Sequence, residues 1–206
     1  MALIGAHKIL RYSHDWEKHS EEDFEWIKIE RQNKKFEDFR WVYEGQVSDK
    51  KAQGFGVLSR VYKNGEMVKV YAGQWVVGKK EGFGAFWYTN GNFYEGDFCR
   101  GRRHGFGRLW SSDGNFYQGH WRDEHFDGPG ILMQDNEADG NRYEGNFSRG
   151  KKEGFGKFYH LRRGLLQEGF WTNDICKKST IKDISRDAAP EPTIYPIPEL
   201  VIKIKI

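Results

Sequence analysis

The sequence predicts an all-β protein, an elongated single-layer antiparallel sheet built from tandem β-hairpin repeats. Three observations predict this class. A short motif recurs along the chain, nearly all the glycines lie in the region of that motif, and the chain has more aromatic residues than a small apolar core would need. Aromatic residues make up 16% of the 206 residues, which argues against a disordered chain. No apolar run approaches the roughly 20 residues that a membrane-spanning helix needs.

The recurring motif is Tyr-x-Gly-x-[Trp/Phe] followed by Gly-x-Gly, and successive copies are 23 to 28 residues apart. The copies begin at Tyr43, where Val47 stands at the Trp/Phe position, and at Tyr71, Tyr94, Tyr117 and Tyr143; a weaker sixth copy begins at Gln167. Of the 25 glycines, 24 lie between residues 45 and 169. Self-similarity at a fixed period is typical of a tandem repeat array.

Each repeat is predicted to fold as two short antiparallel strands. Residues alternate with a period of two, so Tyr94, Gly96 and Phe98 share one face of their strand. The pairs Asn90-Gly91 and Asp113-Gly114 are favoured in tight hairpin turns, which need positive φ. A glycine inside a strand costs about 0.5–1 kcal/mol. Glycines that recur at the same slots therefore predict a neighbour's ring lying against bare backbone.

This motif, at a period near 23, resembles the MORN repeat over about residues 43–171. The resemblance implies a non-enzymatic scaffold or adaptor in cytoskeletal assemblies. It also implies a role in cilia or sperm, in the axoneme, the flagellum or the acrosome. The chain departs from the family's pattern at residues 20–42, which could hold a further repeat but contain no glycine.

The array divides the chain into three regions. Residues 1–42 are a charged N-terminal extension, a degenerate repeat or a cap, in which 26–30 has the pattern of a strand. Residues 43–180 are the repeat array, with five full copies and one degenerate copy. Residues 181–206 are a proline-rich linker and a C-terminal strand at 200–206, which would cap the array, self-associate or extend a partner's sheet.

No catalytic, cofactor-binding or metal-binding site is predicted. The glycine pairs lack the P-loop pattern and open no predicted helix. Cys99 and Cys176 stand alone, without zinc-type spacing to a histidine. Two cysteines without a disulfide framework favour a reducing, cytoplasmic location. The net charge of +3 is too small to predict a nucleic-acid partner.

Rings on both faces of the sheet carry the main functional prediction. A single-layer sheet cannot cover both of its own faces, so some rings should remain exposed as a trough for an amphipathic helix or another segment of a partner protein. Mutual stacking of the rings is the simpler alternative. The trough is assigned to the Tyr-Gly-Trp rows, namely Tyr71, Trp75, Tyr94, Phe98, Tyr117, Trp121, Tyr143 and Phe147. The opposite face carries Phe83, Trp87, Phe106, Trp110 and Phe155.

Basic residues recur at one set of turns and form a second candidate site. They are Lys79, Lys80, Arg102, Arg103, Lys151 and Lys152. If the hairpins stack in register, these side chains form a ladder suited to an acidic protein surface or to anionic lipid. The plainer interpretation is a solvated row that protects the sheet from edge pairing. The alternative function is therefore a peripheral membrane module that binds acidic phospholipids through its turns.

Overall fold

The structure, a computed structural model, describes residues 38–135 and 140–184 with their side chains and residues 26–32 by their backbone. These residues form one antiparallel sheet of thirteen strands, arranged in chain order. The strands are β1 Trp26–Gln32, β2 Phe39–Ser48, β3 Lys51–Tyr62, β4 Met67–Val76, β5 Lys79–Trp87, β6 Phe93–Cys99, β7 Arg102–Trp110, β8 Phe116–Arg122, β9 His125–Met133, β10 Arg142–Ser148, β11 Lys151–His160, β12 Leu165–Thr172 and β13 Ile175–Asp183. The predicted all-β, single-layer sheet of hairpin repeats is confirmed.

The glycines of the motif form one continuous row across the sheet. Gly96 lies opposite Gly84 of the preceding strand and Gly107 of the following one. The same pairing of glycine with glycine continues from Gly45 in β2 to Gly169 in β12. Because each pair fixes the register of two strands, the row aligns all the repeats of the array.

The row of glycines is covered by the tyrosines of the motif. A Cβ atom at Gly107 would lie 2.6 Å from Cζ of Tyr94, and one at Gly96 would lie 2.7 Å from its Oη. The hydroxyl of Tyr94 donates a hydrogen bond to the carbonyl oxygen of Asp97 at 3.0 Å. The four other motif tyrosines make the same contact three residues along the chain. The prediction of rings on bare backbone is confirmed, but each ring belongs to the same repeat as the glycines that it covers.

The rings on this side of the sheet, which we call the tyrosine face, touch one another from repeat to repeat. Tyr94 packs edge to face on Phe98 of its own strand and on Trp121 of the next repeat, each with ring centroids 5.2 Å apart. Equivalent contacts link Tyr43 at one end to Trp171 at the other. Each such pair adds about 0.5–1.5 kcal/mol beyond its burial. The rings therefore form a continuous spine that couples neighbouring repeats.

The residue after the motif glycine occupies a bulge and binds the partner strand. Asp97 sits where the pairing of β6 and β7 shifts, and its carboxylate accepts the N–H of Phe106 at 2.9 Å. Gln74 does the same for Phe83 at 3.1 Å. In the fourth copy the partner is Pro129, which has no N–H, and the imidazole of His120 lies 3.2 Å from its carbonyl oxygen instead.

Two kinds of connection alternate at the two ends of the strands. Two-residue turns with positive φ at both positions join the strands of one repeat and lie at what we call the turn edge. They are Asp49-Lys50, Val77-Gly78, Arg100-Gly101, Asp123-Glu124, Arg149-Gly150 and Asn173-Asp174. At the opposite end, Asn90-Gly91 and Asp113-Gly114 belong to longer loops, in which only the glycine has positive φ and its N–H closes a turn onto the residue three before it. The predicted hairpin turns with positive φ therefore occur at these two pairs, within connections that are longer than two residues.

The sheet continues beyond the five full repeats at both ends. The predicted strand at 26–30 is confirmed as β1, which pairs with β2. At the other end, Gln167 replaces the motif tyrosine, and β13 carries no glycine pair. Strand β2 runs across position 42 and strand β13 runs across position 180, and neither strand marks a domain boundary. The division into 1–42, 43–180 and 181–206 stays a prediction. The C-terminal strand predicted at 200–206 lies outside the described residues.

The fit of tyrosine on glycine predicts that a single methyl group will destabilise the sheet. Gly107→Ala should lower the free energy of unfolding by about 3 kcal/mol, because the new Cβ overlaps the ring of Tyr94. The measurement is chemical denaturation followed by circular dichroism. Gly101→Asn is the control, since a Cβ there meets open space and asparagine tolerates positive φ. Equal losses in the two variants would contradict the packing argument.

Candidate functional site

The eight rings assigned to the trough lie in the core of the tyrosine face. Their exposed fractions run from 0% to 7%. The list is Tyr71, Trp75, Tyr94, Phe98, Tyr117, Trp121, Tyr143 and Phe147. The expectation that these rings are exposed is therefore wrong. Their mutual packing closes the spine, so they form the floor of the face rather than its outer surface.

The outer surface of the tyrosine face comes from the second strand of each repeat. One half-buried apolar side chain per repeat lies directly opposite a motif tyrosine and packs on the core beneath it. These side chains are Leu58, Phe86, Leu109, Leu132 and Phe158. We call them the apolar strip. The strip was not predicted, although the sequence carries a signal for it: each member stands two residues after the second glycine of a Gly-x-Gly pair.

The second residue of each basic pair turns inward onto the rings. The ammonium of Lys80 lies 4.1 Å from the ring centroid of Phe86, and the guanidinium of Arg103 lies 4.3 Å from that of Trp121. Lys152 makes a similar, longer contact with Tyr143 at 5.5 Å. These cation–π contacts are favourable where the cation is partly desolvated. The three cations therefore border the apolar strip on the side of the turn edge.

The three inward cations differ in their acidic partners. The carboxylate of Glu124 accepts hydrogen bonds from Nε and from the backbone N–H of Arg103, each at 2.7 Å. Lys152 lies 3.8 Å from Asp174. Within the described part of the chain, Lys80 has no carboxylate within ion-pair distance, and burial lowers the pKa of its ammonium while Glu124 opposes that shift. Lys80 is thus the cation of this border that is best placed for an incoming carboxylate.

The first residue of each basic pair points to solvent. Lys79, Arg102 and Lys151 are exposed, and Arg102 makes one long ion pair with Asp123 at 3.6 Å. An exposed pair of this kind contributes little to stability. The predicted ladder of six is therefore two rows with different surroundings, one solvated and one packed on aromatic rings.

The opposite face is divided between a second apolar cluster and a polar band. Trp110 is 5% exposed and packs with Phe93, Phe116 and Met133. Beside this cluster, Arg108 bridges Glu95 at 3.2 Å and Gln118 at 2.7 Å. Of the rings that sequence analysis placed here, Phe83, Trp87 and Phe106 are half-buried and Phe155 is 59% exposed. Phe155 lies opposite Phe170, which is 52% exposed.

The arrangement offers surfaces for binding and no assembled reactive group among residues 38–135 and 140–184. That part of the chain holds no cluster of three or more potential metal ligands. Cys99 and Cys176 are free thiols. No helix in the same residues is long and apolar enough to cross a membrane.

The repeats recognised by comparison with known proteins coincide with the repeats of the sheet. A family model of the MORN repeat matches residues 43–61, 71–93, 94–116, 117–136 and 143–160. MORN repeat-containing protein 3 of Xenopus laevis is 50% identical over 162 residues, which cover 78% of this chain and 67% of that protein. The proteins of the same name from Bos taurus and Homo sapiens are each 53% identical over 45 residues. These matches cover 22% of this chain and only 19% of each relative.

The buried tyrosines predict alkaline unfolding. Burial raises the pKa of Tyr43 and of Tyr143 to about 12, and it raises that of Tyr94 further. An unfolded tyrosine ionises near pH 10. The stability that comes from keeping these tyrosines neutral and buried is therefore fully present below about pH 10, and it is lost as the pH rises through 12. Circular dichroism and tyrosinate absorbance should change together in one transition. Ionisation of these tyrosines near pH 10 in a chain that remains folded would contradict their burial.

Proposed function

From the premise that this chain belongs to the MORN repeat family, we propose that it is a non-enzymatic scaffold that binds a segment of a partner protein along the apolar strip. Members of the family are generally repeat proteins of the protein-binding type. The observation that carries the proposal is the strip itself, with one half-buried apolar side chain per repeat on a floor of packed rings. A row of apolar groups on a preformed surface is the usual setting for recognition of an amphipathic segment.

The spacing of the strip suits an α-helix. Neighbouring members are two strands apart, which is roughly 10 Å. Seven residues of an α-helix rise about 10.5 Å. A helix laid along the strip would therefore place one apolar residue on each repeat at every seventh position. A segment in the polyproline II conformation would do so at every third residue, because it has three residues per turn and rises about 3.1 Å per residue.

The border of cations gives the partner a charge preference. Lys80, Arg103 and Lys152 follow the strip on one side, and Lys80 has no carboxylate partner in the described residues. The bound segment should therefore carry acidic side chains along the flank that faces the turn edge. This feature supports a protein partner over the membrane alternative, since half of the basic residues are turned onto rings and away from any flat surface.

The cellular setting is proposed from the family resemblance. The partner would be a cytoskeletal or axonemal component, and the protein would act in the cytoplasm during assembly of a cilium, a sperm flagellum or an acrosome. Self-association of the chain is compatible with the same scaffold role. The fold provides what such a role needs, namely an extended surface that orders a partner along its length.

Site-specific photocrosslinking tests this proposal with a matched control. A photoreactive amino acid replaces Phe158 on the strip or Phe155 on the opposite face, so both probes lie in β11 of the full chain. In cells that express the protein, position 158 should capture a segment with apolar residues at every third or seventh position and acidic residues on one flank, and position 155 should not. The same peptides captured from both positions, or from position 155 alone, would overturn the proposal.

A further inference from the structure

The second two-residue turn carries an exposed valine in an unfavourable backbone conformation. Val77 has φ of 49° and is 58% exposed, and its neighbour Val76 is 44% exposed. A β-branched residue in the left-handed region is an outlier. The other five turns place Asp49, Arg100, Asp123, Arg149 or Asn173 at the equivalent position. A strained apolar residue kept at an exposed tip points to a contact that the sheet itself does not need.

An open cleft lies beside this turn. Its volume is about 270 Å³, and Phe55, Gln74, Trp75, Val76 and Glu81 are among the residues that line it. A cavity of roughly 150 Å³ is large enough to hold benzene. The cleft therefore has room for one aromatic side chain.

The first three turns form a strongly basic surface around the cleft. Residues 49–51, 77–81 and 100–103 contain seven lysines and arginines against two acidic residues. Lys80 and Arg103 face the rings, which leaves five exposed cations, namely Lys50, Lys51, Lys79, Arg100 and Arg102. We call these five the basic patch. The fourth turn ends the patch with Asp123 and Glu124.

The chain itself contains a segment with the complementary chemistry. Residues 15–25 hold six acidic residues against one lysine, together with Trp16 and Phe24. The segment directly precedes β1, whose first residue Trp26 lies opposite Gln46, near the turn-edge end of β2. The segment therefore joins the sheet at the edge that carries the basic patch.

The length of the segment matches the span of the patch. Eleven extended residues reach about 35 Å, and the first and third turns are roughly 20 Å apart. The cleft lies about three strands from β1, or roughly 15 Å. Trp16, ten residues before Trp26, has this reach, whereas Phe24 is two residues away and spans only about 7 Å.

We propose that residues 15–25 bind across the turn edge of the first three hairpins, with their carboxylates on the basic patch and Trp16 in the cleft beside Val77. This contact makes the N-terminal segment an internal ligand of the array. It covers the surface that an acidic protein or an anionic membrane would otherwise reach. The proposal is independent of binding along the apolar strip, because the two sites use different surfaces.

A zero-length carbodiimide crosslinker tests the contact directly, since it joins carboxylates only to amines that touch them. In the full chain, Glu17, Glu21, Glu22 and Asp23 should crosslink to Lys50, Lys51 and Lys79 about tenfold more than to Lys151, because tethering raises the local concentration near the first turns only. The yield should fall several-fold in 1 M salt, where the Debye length shrinks to about 3 Å. A mixture of isotopically labelled and unlabelled chains distinguishes crosslinks within one chain from those between chains.

Two variants and a matched control separate binding from stability. Val77→Asn suits the backbone of the turn, so it should lower the crosslinks several-fold without lowering the denaturant midpoint. Lys79→Glu should also lower them, while the matched Lys151→Glu at the fifth turn should not. Equal yields at Lys79 and Lys151 would overturn the proposal and leave the patch as solvated turn residues. Crosslinks found mainly between chains would also overturn it, because they would assign the patch to a second copy of the chain. If Val77→Asn lowered the crosslinks only because it also lowered the denaturant midpoint, Val77 would have a structural role and would not be part of the binding site.

Discussion

The packing of each motif tyrosine on a pair of glycines is the contact on which the rest of this structure depends. The ring needs bare backbone beneath it, and its hydroxyl needs a carbonyl three residues further along, which Gly107 and Asp97 supply to Tyr94. The glycines of neighbouring strands align into one row because every repeat makes the same demand. The rings then meet edge to face and couple the repeats. A sheet with little aliphatic core thereby obtains a dry interior from aromatic side chains on one face.

The proposed binding surface consists of what this interior leaves exposed. Because the tyrosines and their neighbouring rings are buried in the spine, the side chains that a partner can contact are those that lie over it. These are the half-buried members of the apolar strip and the cations that border them. The floor is already formed by the packing of its own rings, and a preformed surface loses little entropy when it binds. The opposite face and the turn edge differ in chemistry, so one thin sheet can present separate sites.

The fold could be predicted from the sequence because the residues of the motif determine the local geometry of each repeat. A glycine at a fixed slot two residues after a tyrosine predicts both the strand and the ring on its backbone, as Gly96 and Tyr94 show. Burial was harder to predict, since it depends on residues from other strands: Leu109 and Arg103 close over Tyr94 only after β7 has paired with β6. Lys80 and Arg103 looked like surface charge, because the sequence alone does not show that their cationic groups lie against aromatic rings. Asn90-Gly91 is compatible with two loop lengths, and local sequence does not choose between them.

The central claim is that the glycines exist to admit the tyrosine ring, and a double-mutant cycle between Gly107→Ala and Tyr94→Ala tests it most directly. The four chains are compared by their free energies of unfolding in chemical denaturation. If the ring is the reason for the glycine, the methyl group should cost little once the ring is removed, and the coupling between the two sites should be about 2 kcal/mol. Additive effects, with the methyl group equally costly in both backgrounds, would contradict the account.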